Sequence, residues 1–149
     1  MSVGAGQLEG GISPPRDGAE WHILGHTYWN RAWCESAFAF ETLDPPGTFV
    51  PPHIHPTQDE FIHVLEGELE VELDGQRHKA PAGSLVKMPR GIPHGYFNTS
   101  DEDVRCLFWV SPAGRLKQLF DQLHEMTDTD EVVRVSGEHD VEFLPPPEG

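Results

Sequence analysis

Side chains that can bind a metal lie close together in the middle of the chain. The stretch PPHIHPTQDE, residues 51–60, holds His53 and His55 separated by one residue, and it ends in Glu60. In a β-strand alternate side chains share a face, so the two imidazoles would point the same way with Cα atoms about 6 to 7 Å apart. That distance lets two imidazoles converge on one ion, which indicates a metal site.

Turn-forming residues would bring further ligands to the same point. The segment PTQD before Glu60 has the Pro and Asp expected of a turn, and His94 follows a second turn controlled by Pro and Gly in PRGIPHGYFN. Imidazole suits zinc, copper, iron and nickel, and a carboxylate extends the range to manganese. Three histidines and one glutamate would leave two positions of a six-coordinate ion open, as in catalytic sites.

An alternative remains open at this stage, since the chain has nine histidines and a pair could simply decorate an exposed strand. Alternation predicts that His63 faces away from Glu60, and that Asp59 points away from the metal. The other histidines lack a ligand-like spacing and are interpreted as surface or interface residues: His22, His26, His78, His124 and His139.

The residues around these ligands predict short antiparallel strands. The stretch EFIHVLEGELEVELDGQRHKA holds two apolar runs joined at Glu66 and Gly67, and it contains the hairpin signal Asp74-Gly75. Further short strands are indicated in GSLVKMP, HGYFN and DVRCLFWV. Strands at this spacing favour a sandwich or barrel over a sheet interleaved with helices.

Two longer patterns resemble a known family. Residues 47–67 fit G-x5-H-x-H-x4-E-x6-G, and residues 83–98 fit G-x5-P-x-G-x2-H-x3-N, at every fixed position. These are the two signature motifs of the cupins. The resemblance implies an all-β fold, the double-stranded β-helix or jelly-roll barrel. It also implies that one divalent transition metal, with Fe, Mn, Ni, Co, Cu and Zn all open, is bound by His53, His55, Glu60 and His94.

The ends of the chain differ from this middle part. Residues 1–20, rich in Gly, Pro and small polar residues, predict a flexible arm, and residues 21–112 would form the barrel. Residues 113–149 would hold a helix packed outside the barrel and an acidic tail. In RLKQLFDQLHEM the apolar positions repeat at three and four residues, and Ser111 and Pro112 suit the start of a helix. EVVRV and VEFL in the tail could be short packed pieces.

Composition limits the partners. Ten Lys and Arg against 25 Asp and Glu give a net charge of −15, so nucleic acid is an unsuitable partner. The N-terminus lacks the pattern of a signal peptide and no apolar run approaches membrane-spanning length, which predicts a cytoplasmic protein without membrane contact. Cys34 and Cys106 are expected to be reduced and structural.

The resemblance suggests a function for the site. We expect a metal-dependent dioxygenase, similar to quercetinase-like proteins, acting on a small enolic or phenolic substrate such as a flavonol or diketone. Glu60 would also act as general base, Tyr96 would orient the substrate, and Phe49 and Tyr96 would line the pocket. Non-redox isomerisation, decarboxylation or cyclisation, and binding without turnover, are the alternatives. The resemblance also favours a homodimer.

Overall fold

Eleven strands and two helices make up most of residues 10–145, the part of the chain that this computed structural model describes. The strands are β1 (Glu20–Ile23), β2 (His26–Cys34), β3 (Ala37–Asp44), β4 (Phe49–Ile54), β5 (Asp59–Glu66), β6 (Glu68–Leu73), β7 (Gln76–Pro81), β8 (Leu85–Met88), β9 (His94–Phe97), β10 (Val104–Ser111) and β11 (Glu142–Phe143). The helices are α1 (Leu116–Leu123) and α2 (Thr129–Gly137).

The strands form two antiparallel sheets. The first has the order β1-β2-β3-β10-β5-β8 and the second the order β11-β4-β9-β6-β7. Consecutive strands repeatedly fall in different sheets, as β4 and β5 do, so the chain winds between two layers. This arrangement confirms the predicted all-β jelly roll.

Local sequence explains the strands well. In β5 the inward Ile62 and Val64 have no exposed surface, whereas the alternate positions are only half-buried or exposed. The hairpin signal is confirmed, because Asp74 and Gly75 join β6 to β7 with φ angles of 49° and 85°. Such positive values at both central residues match the twist of the flanking strands.

Aromatic side chains fill the space between the sheets and meet the first helix there. Phe40 stacks on Phe108 with ring centroids 5.1 Å apart, and Phe120 of α1 packs edge-on against Phe40 at 5.0 Å. The apolar positions that predicted the helix face are all buried, namely Leu116, Leu119, Phe120 and Leu123. The helix therefore packs on the barrel through the apolar face that the sequence indicated.

The start of this helix differs from the prediction. Ser111 still pairs with Asp59 as the last residue of β10, and the helix begins only at Leu116. Pairing with β5 thus extends the strand through Ser111, because the ladder hydrogen bonds compete with any helix start there. The peptide bond between Ser111 and Pro112 is cis.

The tail contains more structure than the sequence indicated. EVVRV lies within α2, whose first turn is capped by the Asp128 side chain, which accepts hydrogen bonds from the backbone N–H groups of Asp130 and Glu131. VEFL includes β11, which pairs with β4. These two packed pieces continue the chain from α1 back to the second sheet.

The predicted arm lies only partly within the described residues. Residues 1–9 fall outside them, and residues 10–19 contain no helix or strand. The guanidinium of Arg31 nevertheless donates to the carbonyls of Ser13 and Pro14 at 2.8 and 2.6 Å. The domain boundaries at residues 20 and 112 stay predictions.

The cysteines and the helices bear on two further predictions from the sequence. Cys34 and Cys106 are both free thiols, the second fully buried, as expected for structural cysteines. Between residues 10 and 145 neither helix has the length and apolar character needed to cross a membrane.

Candidate metal centre

Strands of both sheets bring the four proposed ligands together. His53 on β4 pairs directly with His94, the first residue of β9, while His55 follows the end of β4 and Glu60 lies on β5. One ligand atom from each residue lies within 4.8 Å of the others, and each residue is at least 95% buried. We call these four residues the strand wall.

Backbone carbonyls fix the orientation of two of the imidazoles. His53 Nδ1 lies 2.8 Å from the carbonyl oxygen of Pro51, and His94 Nδ1 lies 3.3 Å from that of Ile92. A carbonyl can only accept, so each Nδ1 carries the proton and donates it. The Nε2 atoms of both rings therefore keep their lone pairs, as metal ligands require.

Gln58 fixes the third imidazole in the same way. Its Nε2 donates to the carbonyls of Pro112 and Ala113 at 3.0 and 2.7 Å, so its Oε1 must be the atom that faces His55. That oxygen lies 2.9 Å from His55 Nδ1, which consequently donates and leaves the Nε2 of His55 as an acceptor.

These lone pairs face a carboxylate. His55 Nε2 and His94 Nε2 lie 3.1 and 3.7 Å from the Oε2 of Glu60. His94 Nε2 is buried and has no hydrogen-bond partner within the described residues. Three imidazole lone pairs and a carboxylate around one point form an electron-rich site that a cation would complete, so the residues present fit a divalent metal.

Electrostatics at the strand wall favour the ligand forms of these groups. Burial lowers the pKa of His53 to about 3, and the neighbouring rings of His94 and His55 add to this effect. Burial alone would raise the pKa of Glu60, but its interactions with the neighbouring rings of His55 and His94 outweigh burial and lower that pKa to about 2. At neutral pH His53 is therefore neutral and Glu60 is ionised, the forms that bind metals.

A cavity lies beside the strand wall. Its interior is about 100 Å³, within a depression of about 670 Å³ that includes space open to solvent. Segments that follow β10 also line the cavity: α1, α2, residues 138–141 and β11, which we call the helical cap. The cap contributes mostly apolar side chains to it, among them Leu116, Leu119, Phe120, Leu123, Val132 and Phe143. Phe143 lies over the metal centre, its ring 5.2 Å from that of His53.

The two predicted pocket residues are placed differently. Tyr96 is buried, lines the cavity and shares a hydrogen bond between its hydroxyl and that of Tyr28. Phe49 borders the cavity, but 56% of its surface is exposed and its ring stacks on Phe97. The register shift between Val50 and His53 explains this, because it places Val50 rather than Phe49 on the inner face.

Burial raises the pKa of both tyrosines well above the usual value, and nearby carboxylates add to the shift. Tyr28 and Tyr96 therefore keep their protons at neutral pH. Since one hydroxyl donates to the other, the accepting hydroxyl retains a proton that can be donated into the cavity.

The sequence reasoning was wrong about His26, which was interpreted as a surface or interface residue. It is 2% exposed, and its two ring nitrogens lie 2.6 Å from the Asp44 carboxylate and 3.2 Å from the Phe49 carbonyl oxygen. Asp44 also accepts from the hydroxyl of Thr42 at 2.8 Å. Pairing of β2 with β3 brings His26 and Asp44 together, so a strand register would have been the signal needed to find them.

The remaining histidines lie away from the strand wall. His63 and Asp59 face outward from β5, as alternation predicted. His22 and His124 form a second, exposed group with Glu125, but His124 Nδ1 already accepts from the backbone N–H of His22. That group therefore has fewer free ligand atoms than the strand wall.

Comparison with known proteins decides the family of the barrel. A sequence model described as "Cupin domain" matches residues 40–110, which include all four residues of the strand wall. Residues 40–110 are a cupin domain. The helical cap follows the matched region and lies outside it.

Curated relatives match this cupin over part of their length. "Polyketide synthase CurC" of Streptomyces cyaneus is 39% identical over 77 residues, which cover 52% of this chain and 50% of that protein. "Quercetin 2,3-dioxygenase" of Bacillus subtilis (strain 168) is 42% identical over 50 residues, covering 34% of this chain and 15% of that protein. The chain thus spans about half the length of the first curated relatives it matches.

A solved structure supports the cupin fold independently. A structure described as an RmlC-like cupin, from Shewanella frigidimarina NCIMB 400, aligns with a TM-score of 0.64 at 21% identity and covers 70% of this chain and 93% of that chain. At this identity the likeness shows the fold alone.

Proposed function

We propose that the protein is a metal-dependent dioxygenase that acts on small enolic or phenolic compounds. The observation that carries this proposal is the convergence of three imidazole lone pairs and the Glu60 carboxylate beside a cavity that is otherwise largely apolar. Similarity to a protein named quercetin 2,3-dioxygenase supports the choice of chemistry. The site itself supports metal binding more directly than it supports a particular reaction.

A metal held by His53, His55, Glu60 and His94 would supply a Lewis acid for a substrate oxygen and, if redox-active, electrons for reaction with dioxygen. Glu60 is the only carboxylate among the described residues that line the cavity. It is therefore the group placed to accept the proton of an enol or phenol.

The other side chains would orient the substrate and exclude water. The spare hydroxyl proton of the Tyr28 and Tyr96 pair can be donated to a substrate oxygen, and Tyr96 lies two residues beyond His94 on the same face of β9. The apolar side chains of the helical cap keep bulk water from the reacting atoms, which strengthens electrostatic interactions there.

Reconstitution with single metals tests the proposal. Protein stripped with a chelator is reloaded separately with Fe, Mn, Co, Ni, Cu or Zn, and oxygen uptake is measured with flavonols, diketones and catechols. We expect uptake with at least one redox-active metal, with both atoms of isotopically labelled dioxygen found in the product. His94→Ala should lose this activity and His63→Ala, an outward histidine, should keep it. No uptake with any metal and substrate would refute the dioxygenase.

A second candidate is a non-redox isomerase, decarboxylase or cyclase of a biosynthetic intermediate. The observation in its favour is similarity to a protein named polyketide synthase CurC over a larger share of this chain than the dioxygenase covers. The same ligands would then polarise a carbonyl without dioxygen. This candidate would be favoured if an enolic or diketone substrate were converted without oxygen uptake, and if the rate with zinc equalled the rate with redox-active metals. Binding without conversion would instead indicate a protein that binds small molecules without turnover.

We also propose that the protein is a cytoplasmic homodimer. The outer face of the first sheet carries a stacked pair, Phe61 and Trp109, with ring centroids 5.1 Å apart, and Leu85 near it is 65% exposed. An apolar patch of this kind is typical of an interface. Light scattering should give twice the chain mass, and Trp109→Glu should shift the protein toward monomer.

A further inference from the structure

One polar group in the cavity is left without a partner. Ser136 of α2 is 1% exposed and lines the cavity, and its hydroxyl has no hydrogen-bond partner among residues 10–145. Its backbone carbonyl is used, since it accepts from the N–H groups of His139 and Val141. A buried hydroxyl without a partner costs about 1 to 3 kcal/mol, so its presence in an apolar wall needs an explanation.

Most hydrogen-bonding groups of the other polar side chains of the cavity are already engaged. Both ring nitrogens of His26 face acceptors within the protein, and the hydroxyls of Tyr28 and Tyr96 bond to each other, which leaves one spare hydroxyl proton between them. The described lining residues include no lysine or arginine, so no basic side chain would balance the negative charge of a phosphate or carboxylate group on a ligand. The lining thus suits an uncharged molecule with few hydrogen-bonding groups.

The size of the cavity limits that molecule further. An engineered cavity of about 150 Å³ is enough to hold benzene, whereas typical drug-sized ligands need about 300 Å³ or more. The interior here is about 100 Å³. This interior is smaller than the benzene-sized cavity, so even a single substituted ring must lie partly in the open mouth, and nothing larger fits with the helical cap in place.

We propose that the Ser136 hydroxyl determines specificity by binding a second oxygen of an uncharged, single-ring substrate whose first oxygen faces the strand wall. The inference rests on the proposed function, since it takes an enolic or phenolic substrate in this cavity. It narrows that class from multi-ring flavonols to compact ring compounds with two oxygens. It also means that part of the substrate specificity comes from the helical cap, which lies outside the region matched by the cupin sequence model.

Binding to zinc-loaded protein tests this without any turnover. The affinities of phenol, resorcinol and hydroquinone are measured by calorimetry for the parent protein and for Ser136→Ala. The two hydroxyls of resorcinol or hydroquinone are too far apart to bind one ion together. Any gain in affinity over phenol therefore comes from a contact between the second hydroxyl and another part of the cavity. We expect the parent to prefer one of them over phenol, and Ser136→Ala to reduce that preference roughly fivefold, the worth of one hydrogen bond, while phenol affinity is unchanged.

Val132→Ala is the matched control, because Val132 lies on the same helix and lines the same cavity without a polar group. It should change the affinities of phenol and the dihydroxybenzenes by the same factor. Ser136→Ala should melt at or above the parent temperature, because a buried hydroxyl without a partner is removed. A clearly lower melting temperature would show that the hydroxyl is structural and overturn the proposal, and so would an unchanged preference between the ligands.

These outcomes are separate from those of the proposed function. Loss of the preference in Ser136→Ala together with no oxygen uptake would support the serine contact and refute the dioxygenase. Oxygen uptake with an unchanged preference would refute the serine contact alone.

Discussion

The strand wall and the helical cap enclose the same cavity but are held in different ways. In the strand wall each imidazole is oriented by a hydrogen bond that its Nδ1 donates, and two of the three acceptors are carbonyls of the local backbone. The helical cap is held mainly by apolar side chains, with Phe120 packed among the core aromatics and β11 paired to β4 over only two residues. Directional hydrogen bonds therefore fix the side chains of the strand wall, whereas apolar packing, which is not directional, holds the helical cap.

This difference suggests a division of roles. Metal binding depends on ligand positions accurate to a few tenths of an ångström, which regular strands and backbone acceptors provide. Selection of a substrate depends on the shape of the remaining wall, which can change without moving the ligands. The following experiments would break or sharpen this division.

The largest effect is expected when the strand wall loses a ligand. Structural metal sites with four ligands bind with about 10 to 16 kcal/mol, so removal of one ligand by His94→Ala should cost about 3 to 4 kcal/mol of metal affinity. Elemental analysis of purified protein and chelator competition measure it. His63→Ala is the matched control and should retain metal. A metal-loaded His94→Ala protein would show that the ligand assignment is wrong.

A comparable effect, on unfolding rather than on metal affinity, is expected from Phe120→Ala in the helical cap. Phe120 is 7% exposed, and truncation of a buried phenylalanine typically costs about 3 kcal/mol or more of unfolding free energy. Denaturant unfolding of the metal-free protein measures this cost. Val133→Ala, at an exposed position of α2, should be nearly neutral. If Phe120→Ala lowered the free energy of metal binding as much as the free energy of unfolding, the helical cap and the strand wall would not be energetically independent.

Gln58 connects the strand wall to residues 112–113, just before the helical cap, and its substitution should reduce metal affinity more weakly than loss of a ligand. Gln58→Ala removes the acceptor that orients His55, and metal affinity should fall roughly 10-fold, as for other outer hydrogen-bond partners of ligands. Gln58→Glu keeps an acceptor for His55 but can no longer donate to Pro112 and Ala113. It should retain more metal affinity than Gln58→Ala, and equal losses in the two variants would argue against the role in orienting His55.

The smallest effect is expected from mild acidification of the metal-free protein. The pKa of His53 is about 3 in the folded protein against an ordinary 6.5, so the unfolded chain binds more protons between these values. Stability therefore falls as pH falls through 6.5, by on the order of 1 kcal/mol between pH 7 and pH 5.5. Glu60, with its pKa lowered to about 2, adds to the loss only below about pH 5.

Melting curves across this pH range, compared between the parent and His53→Gln, measure the contribution of His53. The variant should show a shallower dependence on pH. An equally steep dependence would mean that other groups account for the acid sensitivity.

The sequence predicted well that the four candidate ligands converge, because their geometry is largely local. His53 and His55 are two residues apart, and short turns governed by Pro and Gly set the positions of Glu60 and His94. The orientation of Phe49 was harder to predict, because the register shift that turns it outward depends on how β4 pairs with β9. Alternation within one strand cannot reveal such a shift.

Long-range packing accounts for the other omissions. His26 and Asp44 meet only when β2 and β3 adopt their observed register. Ser136 reaches the cavity because α2 folds back over the barrel, although its short sequence was interpreted only as a packed piece of the tail. Single-sequence patterns describe neighbours along the chain, and these contacts are between distant segments.

The prolines of β4 also have a consequence for association between molecules. The two-residue β11 pairs only with His53 and Ile54 of β4, and Pro51 and Pro52, which precede them, have no N–H group to offer to a further strand. Both carbonyls are already used, that of Pro51 by the His53 ring and that of Pro52 by the backbone N–H of Leu144. A strand from another molecule would find neither donors nor free acceptors there, so the segment that presents the metal ligands is also protected against edge-to-edge aggregation.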